Sequence, residues 1–197
     1  NYPAIPFERY ADDSICHCRS KKQAEFIRDR LIERFEECKL KLNEEKTKIV
    51  YCKDSNRHDR AENESFDYLG FTFRPRAALN KQTYQVFTAF KPAISKKASK
   101  KIREEIRSWR ILQNYHYRLE DIARQINPVV RGWINYYSKF GKTEFRKVMV
   151  YLNRVLANWI RKKYKRLRRS RRKAHLFLVQ IVNSNRALFS HWAAGYI

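Results

Sequence analysis

Acid is what this chain runs short of. Residues 122–197 hold 18 Lys and Arg against one acid, Glu144, a net of +17, whereas residues 1–121 hold 26 basic and 19 acidic side chains, a net of +7. So skewed a balance calls for a polyanion. Nucleic acid is the first candidate, because neutralising phosphates releases counterions and because 12 Tyr, 12 Phe and 4 Trp offer faces for bases to stack on. Long apolar runs are lacking as well. None approaches the roughly 18 residues of a bilayer span, and no signal peptide opens the sequence. A membrane is therefore not the expected partner, and the expected setting is the cytoplasm, bacterial in origin.

Cysteine is scarce, and its spacing excludes a zinc site. In Cys16-His17-Cys18 the two thiols share one strand face while His17 points away. Neither Cys38, Cys52 nor His58 completes a second C-x-x-C or H-x₃-H pair. Four reduced thiols in a cytosolic protein fit better. At 197 residues with 43% apolar content the chain can still bury a core, as one medium domain or two small ones.

What is present is concentrated at Tyr10-Ala11-Asp12-Asp13, where two adjacent carboxylates follow an aromatic between the apolar run Ala4-Ile5-Pro6-Phe7 and Ile15. Successive strand side chains point to opposite faces, so neighbouring aspartates reach one metal site only where the backbone turns sharply, as at a hairpin tip. Carboxylate oxygens are the hard ligands Mg²⁺ takes, and two ions roughly 3.5–4 Å apart can stabilise both the attacking and the leaving oxygen of nucleotidyl transfer. A solvated Asp-Asp turn without metal is the other reading.

Phe7 to Cys18 reads as a hairpin through this pair. Ala24, Ile27, Leu31, Phe35, Cys38 and Leu42 recur at helical spacing and predict an amphipathic helix over 21–40, closed by Asn43. Thr47 to Cys52 reads as a strand and Lys53 to Ser65 as a surface loop. Phe66 to Arg74 and Thr83 to Phe90 predict a small hairpin, with Gly70 either a bulge or a point of close approach. Lys91-Pro92 marks a boundary. Beyond it Ile94, Ala98, Ile102, Ile106 and Trp109 form one helical stripe. Leu119 to Ile126 predicts a short helix stopped at Asn127-Pro128, Val129 to Phe140 resumes, and Thr143 caps a long helix with Phe145, Val148, Leu152, Val155 and Trp159 in register.

Residues 161–173, RKKYKRLRRSRRK, carry ten basic side chains in thirteen. On a helix that density covers every face, so repulsion is offset by a bound anion or tolerated in solvent. A solvated tail or a localisation signal is the plainer reading, but apolar Leu176 to Val182 and the aromatic Leu188-Phe189-Ser190-His191-Trp192 imply that folded structure follows.

In this order the segments resemble the C-terminal half of a group II intron reverse transcriptase/maturase. FERYADDSICHC resembles the polymerase hairpin, LKLNEEKTKIV the helix-to-strand segment after it, and FDYLGFTFRPR the primer-grip region. INPVVRGWINYYSKF is similar to the thumb or maturase region and LFSHWAAGYI to its end. YADD is shared by many reverse transcriptases; INPVVRGWINYY separates intron-type enzymes from retron or retroviral ones.

The resemblance implies an α+β fold: the C-terminal part of a palm over 1–90, with hairpins and a helix, then an all-helical thumb/maturase domain over 91–197. It assigns Asp12 and Asp13 to two catalytic Mg²⁺ ions and Tyr10 to the base at the primer terminus. Leu69, Gly70 and Phe71 would hold the primer backbone. Lys46 would sit near the departing pyrophosphate, or else is a surface lysine at a strand end. Lys97, Lys100, Arg131, Arg161, Lys162, Lys165, Arg168, Arg169, Arg171 and Arg172 would line the RNA, touching mostly phosphate and sugar. The implied partners are group II intron RNA, an RNA template with a DNA primer, and dNTP; dimerisation is left open. Enzymes of the family supply a further catalytic Asp, the nucleotide pocket and the fingers upstream of YADD. Only nine residues precede Tyr10 here, so a fragment that is inactive alone is implied. The C-x-x-C pairs of an HNH nuclease are not found after Tyr196.

Four readings are open: part of an RNA-directed DNA polymerase that also assists splicing and retrohoming; a non-catalytic RNA-binding/maturase module; a reverse transcriptase of non-intron type; and a ribosome-associated basic protein. A pure binder has no use for paired acids inside a basic groove, where they repel phosphate unless metal screens them.

Overall fold

The computed structural model describes residues 5–197; Ala4, at the start of the apolar run before the hairpin, lies outside the described residues. The chain forms two compact units, one of residues up to Tyr68 with Phe73–Phe90, the other of Leu69–Thr72 with Lys91–Ile197. Two small antiparallel sheets with helix Lys21–Glu37 between them come first and the remaining helices after, so the fold is α+β.

In the first unit, β1 (Phe7–Tyr10) and β2 (Asp13–Cys16) form an antiparallel hairpin in the register Phe7↔Cys16 to Tyr10↔Asp13. Helix α1 (Lys21–Glu37) starts at Ser20, whose hydroxyl accepts from the Gln23 N–H. It stops short of Asn43. Lys39 adopts φ 57°, Lys39 N–H donates to Glu36 O and Leu40 N–H to Phe35 O, a Schellman ending built on lysine instead of glycine. No residue of α1 is buried, Phe26 being 51% exposed.

Thr47 to Cys52 is not a strand. Tyr51 N–H donates to Asn63 O, but Lys53 N–H folds back onto Tyr51 O, and a ladder cannot run through such a turn. The segment 53–65 is a loop, as its polarity predicts.

Strands β3 (Phe66–Tyr68), β4 (Phe71–Leu79) and β5 (Val86–Ile94) form one sheet in sequence order. Gly70 is therefore neither a bulge nor mid-strand; it lies in the turn between β3 and β4. Strand β5 runs past Lys91-Pro92 to Ile94, an edge strand tolerating a proline, while the division between the two units falls at Phe90/Lys91. The Phe66 ring stacks on Phe73, with centroids 4.9 Å apart.

The second unit is helical: α2 (Lys96–Ser108), α3 (Leu119–Tyr137), α4 (Lys142–Lys163), α5 (Arg171–Ser184) and the short α6 (Ser190–Ala193). Helix α4 is its axis. Of the predicted seam Phe145, Val148, Leu152 and Trp159 are buried and Val155 is half-buried, and Met149, Leu156 and Ile160 widen it into the stripe of a globular core. Ile102 and Ile106 of α2, Ile122, Ile126 and Val130 of α3, and Ala174, Leu178 and Val182 of α5 join the same core.

Two expected helix limits move. Pro128 does not stop a helix, since α3 continues through it. Asn127 is held instead by tertiary bonds, its Nδ2 donating to Leu188 O at 3.0 Å and its Oδ1 accepting from Ser190 N–H at 2.9 Å. Thr143 does not cap α4. Gly141 does, at φ 56°, and a Cβ there would lie 2.3 Å from the Ala93 Cβ, so only glycine fits.

Candidate nucleic-acid interface

At the tip of the β1–β2 hairpin the loop is two residues long. Ala11 takes φ 53°, the sign a type II′ turn needs at its first central position and one that glycine usually supplies. A side chain there costs roughly 1–2 kcal/mol, and Arg9 Nε holds the turn by donating to Ala11 O at 2.9 Å. This sharp reversal places Asp12 in the loop and Asp13 at the head of β2, paired with Tyr10. All three are exposed, Tyr10 by 63%. Among the described residues neither carboxylate has an ion-pair or hydrogen-bond partner, although Arg9 is close by in sequence.

Two free carboxylates side by side suit Mg²⁺, which is commonly held by one or two carboxylates with the rest of its shell from water and phosphate. The donor chemistry fits, but the described residues gather no third acid, His or Cys with the pair. Lys46 sits in the Asn43–Thr47 turn, its N–H donating to Asn43 Oδ1 at 3.1 Å. Among the described residues no bond links its ammonium to Asp12 or Asp13.

In the second unit Leu69 (φ 48°) and Gly70 (φ 79°) both lie in the left-handed region, the requirement of a type I′ turn. The turn is held from α3 and from Ser95, the N-cap of α2. Tyr136 Oη donates to Leu69 O at 2.8 Å and Ser95 N–H to Gly70 O at 2.9 Å. Phe71 is buried among the rings of Tyr136, Tyr137 and Phe140, with centroids 5.4–5.7 Å away. The close approach expected at Gly70 is therefore to protein: a Cβ would lie 3.0 Å from Tyr137 Oη. Burial raises the pKa of the Tyr137 phenol, with Tyr136 adding to the effect.

Beside this turn is a groove of about 490 Å³ lined by Gly70, Lys97, Lys101, Val129, Trp133 and Tyr137 among others. Lys97 thus shares a groove with the rings of Trp133 and Tyr137. Lys100 is placed differently, 3.9 Å from Glu104 in an exposed i,i+4 pair of little energetic weight. Arg131 is exposed on α3. Trp133 escapes a sequence reading because Trp133, Tyr136, Tyr137 and Phe140 read together as core, whereas Trp133 and Tyr137 are only half-buried and Tyr136 and Phe140 are exposed.

The basic run is not one helix. Arg161 and Lys162 end α4, Lys165 lies in a 3₁₀ turn, Arg168 and Arg169 follow it, and Ser170 caps α5 by accepting from Lys173 N–H. Arg161 bonds Asn158 Oδ1 at 2.9 Å. Arg171, Arg172 and Lys173 occupy the first turn of α5, which has no acid. Cations at this positive helix end oppose the dipole, each by a few tenths of a kcal/mol or more. Arg168, Arg169, Arg171 and Arg172 are exposed, and no carboxylate pairs with them among the described residues. Among those residues, too, no helix is long and apolar enough to cross a membrane.

No curated protein matches the chain. Residues 2–73 match the family of reverse transcriptases (RNA-dependent DNA polymerases), which typically use Mg²⁺. Residues 99–177, which hold most of the helical core and all of the basic run, match the group II intron, maturase-specific domain. A reverse transcriptase segment followed on one chain by a maturase-specific domain makes this protein a member of the group II intron reverse transcriptase/maturase family.

Proposed function

We propose that this chain supplies the metal-binding hairpin of an RNA-directed DNA polymerase and, through its helical unit, a clamp for intron RNA and for the template with its DNA primer. Residues 1–90 serve as the end of the palm and 91–197 as thumb and maturase domain. The observation that carries the reading is the strained two-residue turn at Ala11-Asp12, which presents two unpaired carboxylates beside an exposed tyrosine. A turn of a purely RNA-binding protein gains nothing from such strain.

Asp12 and Asp13 would hold two Mg²⁺ ions, whose chemistry is to lower the pKa of the attacking 3′ hydroxyl and to screen the departing pyrophosphate. Tyr10 offers its exposed ring to the base of the primer terminus. The Leu69-Gly70 turn, braced by Tyr136, lies against the primer backbone, and Phe71 anchors it from beneath. Lys46 is available to the pyrophosphate of the incoming dNTP. Lys97, Lys100, Arg131 and the cations from Arg161 to Arg172 neutralise phosphates; those at the head of α5 relieve their own repulsion by doing so. Since the described residues bring only two acids together, this chain by itself binds RNA without extending a primer.

The test is Asp12→Asn and Asp13→Asn in the polymerase-active protein that contains this chain. Each should abolish DNA synthesis and leave RNA affinity unchanged. Extension near the wild-type rate in either variant overturns the assignment.

A further inference from the structure

The segment between the 3₁₀ turn Arg110–Gln113 and α3 reads as an ordinary connection, yet it is fastened at three points. Trp159 Nε1 donates to Asn114 O at 3.1 Å, and Lys163 Nζ donates to Tyr115 O at 2.9 Å and to Tyr117 O as well. Asn114 Oδ1 accepts from the His116 N–H at 2.9 Å, closing an Asx turn. Lys163, near the start of the basic run at the end of α4, therefore spends its ammonium on backbone carbonyls and on the Trp159 ring, 5.1 Å from its centroid. The use is costly, because a lysine held this way gives up rotamer freedom.

The loop so fastened is not hidden. Tyr115 and Tyr117 remain 37% and 38% exposed, His116 between them is exposed, and Lys162 Nζ stands 5.9 Å from the centroid of Tyr115. A backbone fixed by donors from α4, two half-bare phenol rings and an adjoining cation make up a rigid aromatic surface with a charge for phosphate beside it. An apolar partner would gain little from phenols set among lysines. Unpaired bases gain both stacking and neutralisation, whereas bases within a duplex have their faces already covered.

We propose that Asn114–Arg118 is a stacking platform for unpaired nucleotides of bound RNA, with Tyr115 and Tyr117 as the rings and Lys162 as a phosphate contact. The proposal rests on the reading that the helical unit binds RNA and adds which RNA element this face takes. Lys163 is a positioning residue: it holds the loop and does not meet the ligand.

The test uses the full chain, a uridine-rich single strand and a blunt RNA duplex, with affinities measured at one salt concentration. Tyr115→Ala with Tyr117→Ala should weaken the single strand roughly 30-fold or more, the lower end of what loss of two base stacks costs, and leave the duplex within twofold. Tyr115→Trp with Tyr117→Trp should keep the single-strand affinity. The bonds that fasten the loop are accepted by its backbone carbonyls, not by the tyrosine side chains, so the alanine pair keeps the fold, which an unchanged unfolding midpoint verifies. Equal loss on both RNAs, or no loss on either, overturns the platform while the clamp reading stands. Failure of the unsubstituted chain to bind either RNA overturns both.

Discussion

His191 is wholly buried beside Asn153, Phe189 and Trp192, and its titration provides a test of how the end of the chain is locked. Asn153 Nδ2 donates to Tyr196 O at 3.1 Å, so its Oδ1 is the acceptor for Trp192 Nε1–H at 2.7 Å and for His191 Nε2 at 2.8 Å. That network assigns the Nε2–H tautomer. The Nδ1 of the ring has no partner and could take a proton only as an unsolvated charge. Burial accordingly lowers the pKa of His191 from 6.5 to about 3. The unfolded chain binds this proton and the folded chain does not, so stability is complete above the unfolded value and falls as pH drops from 6.5 toward 3. Between pH 7 and pH 5 the loss from this one group is about 2 kcal/mol. Urea unfolding followed by tryptophan fluorescence at the two pH values should show it as a lower midpoint at pH 5. His191→Gln, which retains a donor for Asn153, should be less stable at pH 7 but lose most of this difference. Coincident midpoints at pH 5 and 7, or an undiminished difference in His191→Gln, would refute the reasoning.

Other outcomes follow from single contacts. Gly141→Ala forces a Cβ onto Ala93 at a left-handed residue and should cost about 2–4 kcal/mol, read as a shift in the urea midpoint. Replacing Arg168, Arg169, Arg171 and Arg172 together by Gln should flatten the dependence of log K on log salt by about 3–4 if each meets a phosphate, without changing helix content; an unchanged slope makes the run a solvated surface. If six to ten phosphates are contacted in all, the unsubstituted chain should lose ~10³–10⁵ in duplex affinity between about 50 and 200 mM salt. The purified 197-residue chain should bind RNA and incorporate no nucleotide; Mg²⁺-dependent incorporation would show that its own residues complete the site.

The sequence exposes elements whose own pattern decides them. The turn at Asp12 and the stripes of α2 and α4 are of this kind, because a period or a tight loop is a local property. Elements decided by a distant partner are not legible. Pro128 reads as a stop, yet α3 passes through it while Asn127 is held by Leu188 and Ser190 some sixty residues on. Thr47 to Cys52 has strand composition and no ladder to join. The basic run shows only its charge density in sequence, while a 3₁₀ turn and the Ser170 cap divide it in the structure. For the site, the acid pair is visible as a motif, whereas the bracing of Leu69 and Gly70 by Tyr136 and Ser95 depends on three elements meeting in space.

The central claim is that Asp12 and Asp13 hold the metal of nucleotidyl transfer. Single-nucleotide incorporation, measured under single-turnover conditions across a Mg²⁺ titration in the polymerase-active protein, tests it most directly. Loss of a carboxylate ligand removes several kcal/mol from transition-state stabilisation, so Asp13→Asn should slow incorporation by about 10²–10⁴-fold at every Mg²⁺ concentration while primer-template affinity stays within about twofold. An incorporation rate within about threefold of wild type, with the same Mg²⁺ dependence, would contradict the account.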